Sequence, residues 1–142
     1  MPAYDAFVSE LYQLRDTIRK MAYKEIHTRE LDITVEMLEV LGILFAKDGS
    51  NQQFIADALR KHKASITPLI DNLVQRGLVE RRVNPSDRRN NLIFLTESAS
   101  IYSNLLKEIV QAIYLKMQSG VEPGEIEQAT TILQKLNLQF EP

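Results

Sequence analysis

Basic side chains concentrate in one stretch of the sequence, where their chemistry suits the binding of a polyanion. Residues 60–91 include eight basic and three acidic residues, a local charge of +5, whereas the rest of the chain carries −7. The basic residues are Arg60, Lys61, Lys63, Arg76, Arg81, Arg82, Arg88 and Arg89. A basic face on an acidic body is typical of nucleic-acid-binding modules, because only the contacting surface has to neutralise phosphates. By charge alone, an ordinary solvated surface explains the pattern equally well.

Residue types that carry catalysis or bind metals are sparse. The chain has no cysteine, which excludes disulfides, thiolate nucleophiles and cysteine-ligated metals. Its two histidines, His27 and His62, lie far apart and in no metal-binding motif. We find no ordered Ser/His/Asp set, phosphate-cradling glycine loop or paired-carboxylate motif, and the 142 residues include only five glycines. The sequence therefore predicts neither an enzyme nor a bound metal or cofactor.

Length and composition indicate an ordinary folded protein. The 142 residues are 44% hydrophobic and 25% charged, which is typical of one compact domain. The longest uncharged apolar stretch, residues 40–46, is far shorter than the roughly 20 residues that a membrane span requires, and no signal-peptide pattern opens the chain. With no repeat or flexible linker visible, we expect a single domain over residues 1–142, located in the cytoplasm without membrane association.

Capping residues and apolar periodicity predict two helices before the basic segment. Thr34 is placed to cap a helix that runs to about Lys47. Either Asn51 or Ser50 can cap a short helix over residues 52–59, whose apolar side chains share one face.

A further helix is predicted to carry the first part of the basic segment. It begins near Ser65, whose side chain could cap it, with Pro68 in the first turn and Gly77 at the end. Two short helices separated by a tight segment at residues 61–64 are typical of a helix-turn-helix.

The pattern then changes to that of a β-hairpin. Residues 78–83 and 92–95 are predicted as two strands, and the polar connection 84–91 is predicted as an exposed hairpin tip. A winged helix-turn-helix core over about residues 34–96 follows from this order of elements.

Long amphipathic helices are predicted at both ends of the chain. Apolar residues from Tyr4 to Met21 recur at alternating spacings of three and four and form one stripe on a helix over about residues 4–26. Two more helices within about residues 97–140 are separated by a break at residues 119–123. The first stripe is more apolar surface than a lone helix leaves in water, which indicates an interface. The alternative is that the three terminal helices bury their stripes within one monomer.

Three short motifs within residues 65–97 resemble the recognition helix and wing of the MarR family of transcriptional regulators. They are the Gly77–Arg81 junction (GLVER), the Asp87–Arg89 tip (DRR) and the Leu95–Thr96 pair before a helix, in the order and spacing of that family. The resemblance implies a mainly α fold with a small β-hairpin wing, in which long terminal helices dimerise and flank the winged core. It also implies a homodimer that binds a pseudo-palindromic operator in double-stranded DNA.

The resemblance further implies a set of DNA-contacting residues. Major-groove contacts fall on Lys63, Ser65 and Thr67, with Pro68 close by. Arg89 matches the arginine that enters the minor groove, where a weakly hydrated guanidinium suits the electronegative floor. Three arginines are interpreted as phosphate-facing or solvated, namely Arg76, Arg82 and Arg88. Asp87 is the acid that is expected to orient Arg89.

The sequence departs from the family pattern at a few positions. Asn72 stands where many members have arginine, and Ala99 stands where a glycine is common. The absence of cysteine excludes the thiol-based peroxide sensing of one branch, and two separated histidines do not support the zinc-responsive branch.

Two questions about function stay open at this point. Relatives bind a small, often aromatic and anionic effector, and Tyr12, Arg15, Tyr23 and His27 could line such a pocket. Core tyrosines and surface charges explain these four residues more simply, so we assign no effector residues. The alternative to DNA binding is a winged-helix module that uses its basic wing against an acidic protein.

Overall fold

The protein is described by a computed structural model of residues 1–141, which contains six α-helices and a small antiparallel sheet. In chain order the elements are α1 (Pro2–Thr28), α2 (Val35–Ala46), β1 (Ser50–Asn51), α3 (Gln52–Ala58), α4 (Lys63–Gln75), β2 (Val79–Asn84), β3 (Asp87–Leu95), α5 (Ser100–Gln118) and α6 (Pro123–Leu138). The chain divides into two compact units that meet at residues 109 and 110, and we describe each unit by itself. None of the helices described has the length and apolar character needed to cross a membrane.

Helix α2 forms the centre of the core in the first unit. Thr34 caps it as predicted, because its hydroxyl accepts a hydrogen bond of 3.1 Å from the Met37 amide. The helix is apolar around much of its circumference, and Val40, Leu41 and Leu44 are completely buried. It contacts α1, α3, α4 and β3. Full burial of each of these side chains contributes roughly 1.5–3 kcal/mol, so α2 holds the surrounding elements in place.

The two helices of the helix-turn-helix are α3 and α4. Asn51 is the residue that caps α3, since its side chain accepts from the Phe54 amide at 2.7 Å, whereas Ser50 is buried in β1 and donates to the Lys47 carbonyl. The turn after α3 passes through Arg60, whose φ of 53° costs a non-glycine residue about 1 kcal/mol. A tight, hydrogen-bonded turn therefore sets the relation of α4 to α3.

Helix α4 begins earlier than the sequence predicted. It starts at Lys63 with His62 as an N-cap that makes no side-chain hydrogen bond, so the prediction that Ser65 caps the helix is wrong. Pro68 consequently lies inside the helix rather than in its first turn, where it removes one backbone hydrogen bond. The helix ends at Gln75, and Gly77 stops it as predicted, with a φ of 69° and backbone hydrogen bonds from the Gly77 amide to Val74 and from the Leu78 amide to Leu73.

The sheet has three strands in the order β1-β3-β2, one more than predicted. The two residues of β1 are too few to show any periodicity in the sequence. Strands β2 and β3 pair in register from Val79, which lies opposite Leu95, to Val83, which lies opposite Asn91. The next residue of β2, Asn84, pairs with Asp87. The connection is thus shorter than predicted, and residues 88–90 bulge from β3 instead of forming part of a long loop.

The terminal helices leave apolar side chains exposed in the single chain. In α1 only Ala22 and Ile26 are buried, while Phe7, Leu11 and Leu14 of the predicted stripe are 37%, 38% and 51% exposed. Helix α6 of the second unit has no buried residue, although its sequence carries several large apolar side chains.

Two glycines with positive φ provide a stability test. Gly77→Ala should cost about 1 kcal/mol, because the conformation disfavours a Cβ although no atom lies within 4 Å of it. Gly49→Ala should cost about 1–3 kcal/mol more, because φ is 73° and the new Cβ would lie 2.8 Å from the Phe94 ring. The measurement is denaturant unfolding at one protein concentration.

Gly124→Ala serves as the control, since this glycine has ordinary φ and free space within a helix. Equal losses for Gly49→Ala and Gly77→Ala would show that contact with Phe94 does not limit position 49.

Candidate nucleic-acid interface

The first half of α4 presents a polar face to solvent. Ile66 and Ile70 are completely buried, and one turn of helix separates them. Because these side chains fix one face of α4 on the core, the opposite face points outward. The three predicted major-groove residues and the nearby proline are all exposed: Lys63, Ser65 and Thr67, with Pro68.

Thr67 is joined to the preceding helix by a hydrogen bond that the sequence did not reveal. The side-chain amide of Gln52, the first residue of α3, donates to the Thr67 hydroxyl at 3.0 Å. The hydroxyl in turn lies 3.4 Å from the Lys63 carbonyl oxygen, which accepts from it. Nothing in the local sequence distinguishes Gln52 from its neighbour Gln53, so only the fold identifies this contact.

The eight basic residues of the segment fall into two groups. Three form ion pairs within the protein, namely Arg76 with Asp32, Arg81 with Asp71, and Arg82 with Glu80. Among the residues that the structure describes, no ion-pair partner is found for the remaining five, which are Arg60, Lys61, Lys63, Arg88 and Arg89. Free positive charge therefore lies around the start of α4 and at the hairpin tip.

Arg76 is occupied by contacts inside the protein. Its Nε donates to the Asp32 backbone carbonyl at 2.8 Å, its Nη2 contacts the Asp32 carboxylate at 3.1 Å, and its Nη1 donates to the Asn72 carbonyl. These bonds fasten the end of α4 to the loop between α1 and α2. The structure thus shows contacts within the protein for Arg76, which the sequence predicted to be phosphate-facing or solvated.

Arg82 also makes contacts within the hairpin. Its guanidinium lies over the Phe94 ring, 4.2 Å from the centroid, and its Nε donates to Glu80 at 2.6 Å. On the neighbouring position of β2, Arg81 pairs with Asp71 of α4 at 2.5 Å. This second pair connects the wing to the recognition helix and restrains the angle between them.

Asp87 organises the hairpin tip through the backbone. One carboxylate oxygen accepts from the Arg89 amide at 3.0 Å, and the other accepts from the Asn90 side chain at 2.8 Å. The acid expected to orient Arg89 therefore holds its main chain, while the Arg88 and Arg89 side chains extend into solvent.

A cavity of about 440 Å³ lies between α1, α2 and the loop that joins them. Tyr23 and His27 form part of its wall, with their rings stacked 5.7 Å apart, and Lys20 adds a cation. Tyr12 is not among its lining residues, and Arg15 lines a separate hollow of about 350 Å³ beside Leu11.

Arg19 connects the two helices at this cavity by donating to Glu36 and, at 2.8 Å, to Glu39. The pKa of the Glu36 carboxyl is lowered, chiefly by a hydrogen bond from its own backbone amide and also by the Arg19 charge, while partial burial opposes the shift. Because a lowered pKa keeps this acid ionised down to more acidic pH, the contact persists throughout the neutral range. Within residues 1–141 we find no cluster of three or more histidine or carboxylate side chains that could hold a metal ion.

The role of Arg76 can be tested by stability alone. Arg76→Ala should lower the free energy of unfolding by about 1–2 kcal/mol, because it removes hydrogen bonds to Asp32 and Asn72. Arg88→Ala, which removes an exposed arginine without such contacts, should change it by less than about 0.5 kcal/mol. Denaturant unfolding measures both; equal stability of the two variants would contradict an internal role for Arg76.

Comparisons with known proteins agree on one family. The MarR family model matches residues 33–90. The HTH-type transcriptional regulator MhqR of Bacillus subtilis (strain 168) is 30% identical over 115 residues, which cover 81% of this chain and 78% of that protein.

Solved structures show the same fold over almost the whole chain. The S. aureus MepR–DNA complex is 27% identical with a TM-score of 0.82, covering 93% of this chain and 97% of that one. CouR from Rhodococcus jostii RHA1 bound to p-coumaroyl-CoA is 27% identical with a TM-score of 0.78, covering 94% and 92%. The predicted fold class is confirmed. The chain belongs to the MarR family, and it is a DNA-binding transcriptional regulator rather than an enzyme.

Proposed function

We propose that this regulator binds a pseudo-palindromic operator in double-stranded DNA as a homodimer, with α4 in the major groove and the hairpin tip in the minor groove. The observation that carries the proposal is the division of the basic residues. Three form ion pairs with acidic residues of the same chain, and five without ion-pair partners among the described residues surround the start of α4 and the tip. Phosphate binding requires such uncommitted cations. The similar MepR structure with bound DNA supports the same class of ligand.

The residues of this surface contact different parts of the DNA. Lys63, Ser65 and Thr67 on the exposed face of α4 approach base edges, with Pro68 packed beside them. Arg89 enters the minor groove, and Arg88 lies nearer the phosphates. Asp87 fixes the backbone of the tip, and Arg82 lies at its base against Phe94. Arg76 does not belong to the DNA-contacting set, because Asp32 and Asn72 occupy its donors.

The occupant proposed for the exposed apolar stripe of α1 is a second copy of this chain. Phe7, Leu11 and Leu14 form a row on one helix face and remain 37%, 38% and 51% exposed. Helix α6, which buries no residue, offers a second apolar face in the other unit. A two-fold dimer built on these helices presents two α4 helices, which read half-sites roughly 10 bp apart.

The cavity beside α1 is proposed as the site of a small aromatic or anionic effector. The stacked Tyr23 and His27 rings provide an aromatic wall, and Lys20 provides a cation that has no ion-pair partner among the described residues. This combination suits an aromatic acid. CouR, a similar structure, is bound to p-coumaroyl-CoA.

Assembly is tested by charging the stripe. The wild-type protein should sediment at about 33 kDa, twice the 16.3 kDa of one chain. Leu11→Glu combined with Leu14→Glu should give monomer or insoluble protein, because two charges would be buried at the interface without partners. Gln13→Glu, at another exposed position on the same helix, is the control and should remain a dimer. A well-folded wild-type monomer at micromolar concentration would contradict the proposal.

DNA binding is tested by comparing a cation with a neutral residue. Arg89→Ala should weaken binding to many sequences, most where the flanking minor groove is narrow and A·T-rich, and should reduce the slope of log K against log salt by about 1. Thr67→Ala should relax preference at one or two base pairs, by roughly 1–3 kcal/mol at most, without changing the slope. Fluorescence anisotropy on operator and scrambled duplexes at several salt concentrations measures both effects.

Arg76→Ala is the matched control for loss of an arginine, and its slope should equal that of the wild type at a temperature where the variant is folded. If Arg89→Ala and Thr67→Ala both bind like the wild type, the wing and α4 are not the contact surface. An acidic protein partner would then be the better account of the basic wing.

A further inference from the structure

The hydroxyl group of Thr67 is already used within the protein. A threonine hydroxyl has one proton to donate and two lone pairs that accept. Its oxygen lies 3.4 Å from the Lys63 carbonyl oxygen, a long contact for a hydroxyl donor, and one of its lone pairs accepts from the Gln52 side-chain amide at 3.0 Å. Both partners belong to the helix-turn-helix itself, so the hydroxyl is turned towards α3 and the preceding turn of α4.

The remaining group on the Thr67 Cβ is its methyl. Thr67 is exposed, whereas the preceding Ile66 is completely buried, so the residue lies on the outer face of α4. With the hydroxyl held against Gln52, the methyl is the group left to meet a base. In the major groove, only thymine presents a methyl group of its own, at C5.

We infer that Thr67 recognises a thymine through contact between the two methyl groups, and that Gln52 is a positioning residue that holds the Thr67 hydroxyl away from the bases. The inference rests on the proposed binding of DNA by α4. Thr67 then recognises its base through an apolar contact. A hydrogen bond from the Thr67 hydroxyl would instead favour a donor or acceptor on a base edge.

Gln52 differs in its contacts from the adjacent glutamine. The Gln53 amide donates to Asp57 on its own helix at 2.8 Å, four residues away, and among the described residues no hydrogen bond joins it to α4. The two residues therefore form a matched pair, in which only Gln52 connects α3 to the recognition surface.

The test replaces each operator thymine in turn with deoxyuridine, which keeps every hydrogen-bonding group and lacks only the C5 methyl. Anisotropy titrations should identify one thymine per half-site at which this replacement weakens wild-type binding about fourfold, the loss expected for one buried methyl group. Thr67→Val, which keeps a methyl and lacks the hydroxyl, should retain this thymine-to-uracil ratio. Thr67→Ser, which keeps the hydroxyl and lacks the methyl, should bind both duplexes equally.

The role of Gln52 is measured by the same ratio. Gln52→Ala should bring the ratio of thymine to uracil affinity towards 1, because the freed Thr67 hydroxyl can rotate into the groove. Binding to scrambled DNA should not change. Gln53→Ala should behave as the wild type. In a Thr67→Val background, Gln52→Ala should have no effect on the ratio, since no hydroxyl remains to be held.

Three results would overturn the inference while leaving the proposed function intact. The first is specific operator binding in which no thymine is sensitive to replacement by deoxyuridine. The others are a sensitivity to this replacement that is equal in Thr67→Ser and the wild type, or one that is lost in Thr67→Val. A wild-type protein that binds operator and scrambled duplexes alike, or neither, would instead contradict the proposed function.

Discussion

The orientation of α4 depends on the burial of one narrow apolar face. Ile66, Ile70 and Leu73 are completely buried and lie at spacings of three and four, so they form a single row along the helix. Exposing such a row would cost several kcal/mol, which is a large share of the stability of a protein of this size. Every other property of the recognition surface follows from this row, because a helix with one buried face has its opposite face determined.

Electrostatics then selects which basic residues can act on a polyanion. Asp71 and Glu80 each pair with an arginine of β2, and Asp32 pairs with Arg76. A carboxylate paired with a guanidinium offsets part of its attraction for a phosphate, most where the arginine is least exposed, as in Arg76 and Arg81. The acidic residues of the winged segment therefore confine free positive charge to the beginning of α4 and to the hairpin tip, the two places that a helix and a wing can insert into grooves.

The sequence was sufficient to predict features that depend on periodicity or on one local residue. The long helices, the Thr34 cap and the stop at Gly77 are of this kind, and the structure confirms them. The start of α4 was placed two residues late, because Ser65 is a better capping residue than His62 and a proline is favoured in a first turn. In the structure the helix instead begins at Lys63, without a side-chain cap.

Contacts between segments distant in sequence could not be predicted from it. The Arg76 side chain meets Asp32, which is 44 residues away, and Gln52 meets Thr67 across the helix-turn-helix. Neither pair follows a spacing rule within one helix or strand. The strand β1 was missed for a related reason, since its two residues are extended only because Ile93 and Leu92 of β3 lie beside them.

The loop of residues 29–34 connects the proposed effector cavity to the end of α4. Leu31 and Ile33 line the cavity, and between them Asp32 holds Arg76. A ligand that displaces this loop must therefore also strain the Asp32 contact, which couples the two places. The Asp32 side chain is 86% exposed, so the ion pair contributes at most about 1 kcal/mol, and the hydrogen bond from the Arg76 Nε to the Asp32 carbonyl adds about 1 kcal/mol. Since coupling cannot exceed the free energy of the contact that transmits it, this route changes DNA affinity by no more than about thirtyfold. Any larger change of DNA affinity on effector binding has to come from a change in the spacing of the two α4 helices in the proposed dimer. The loop contributes only part of that change.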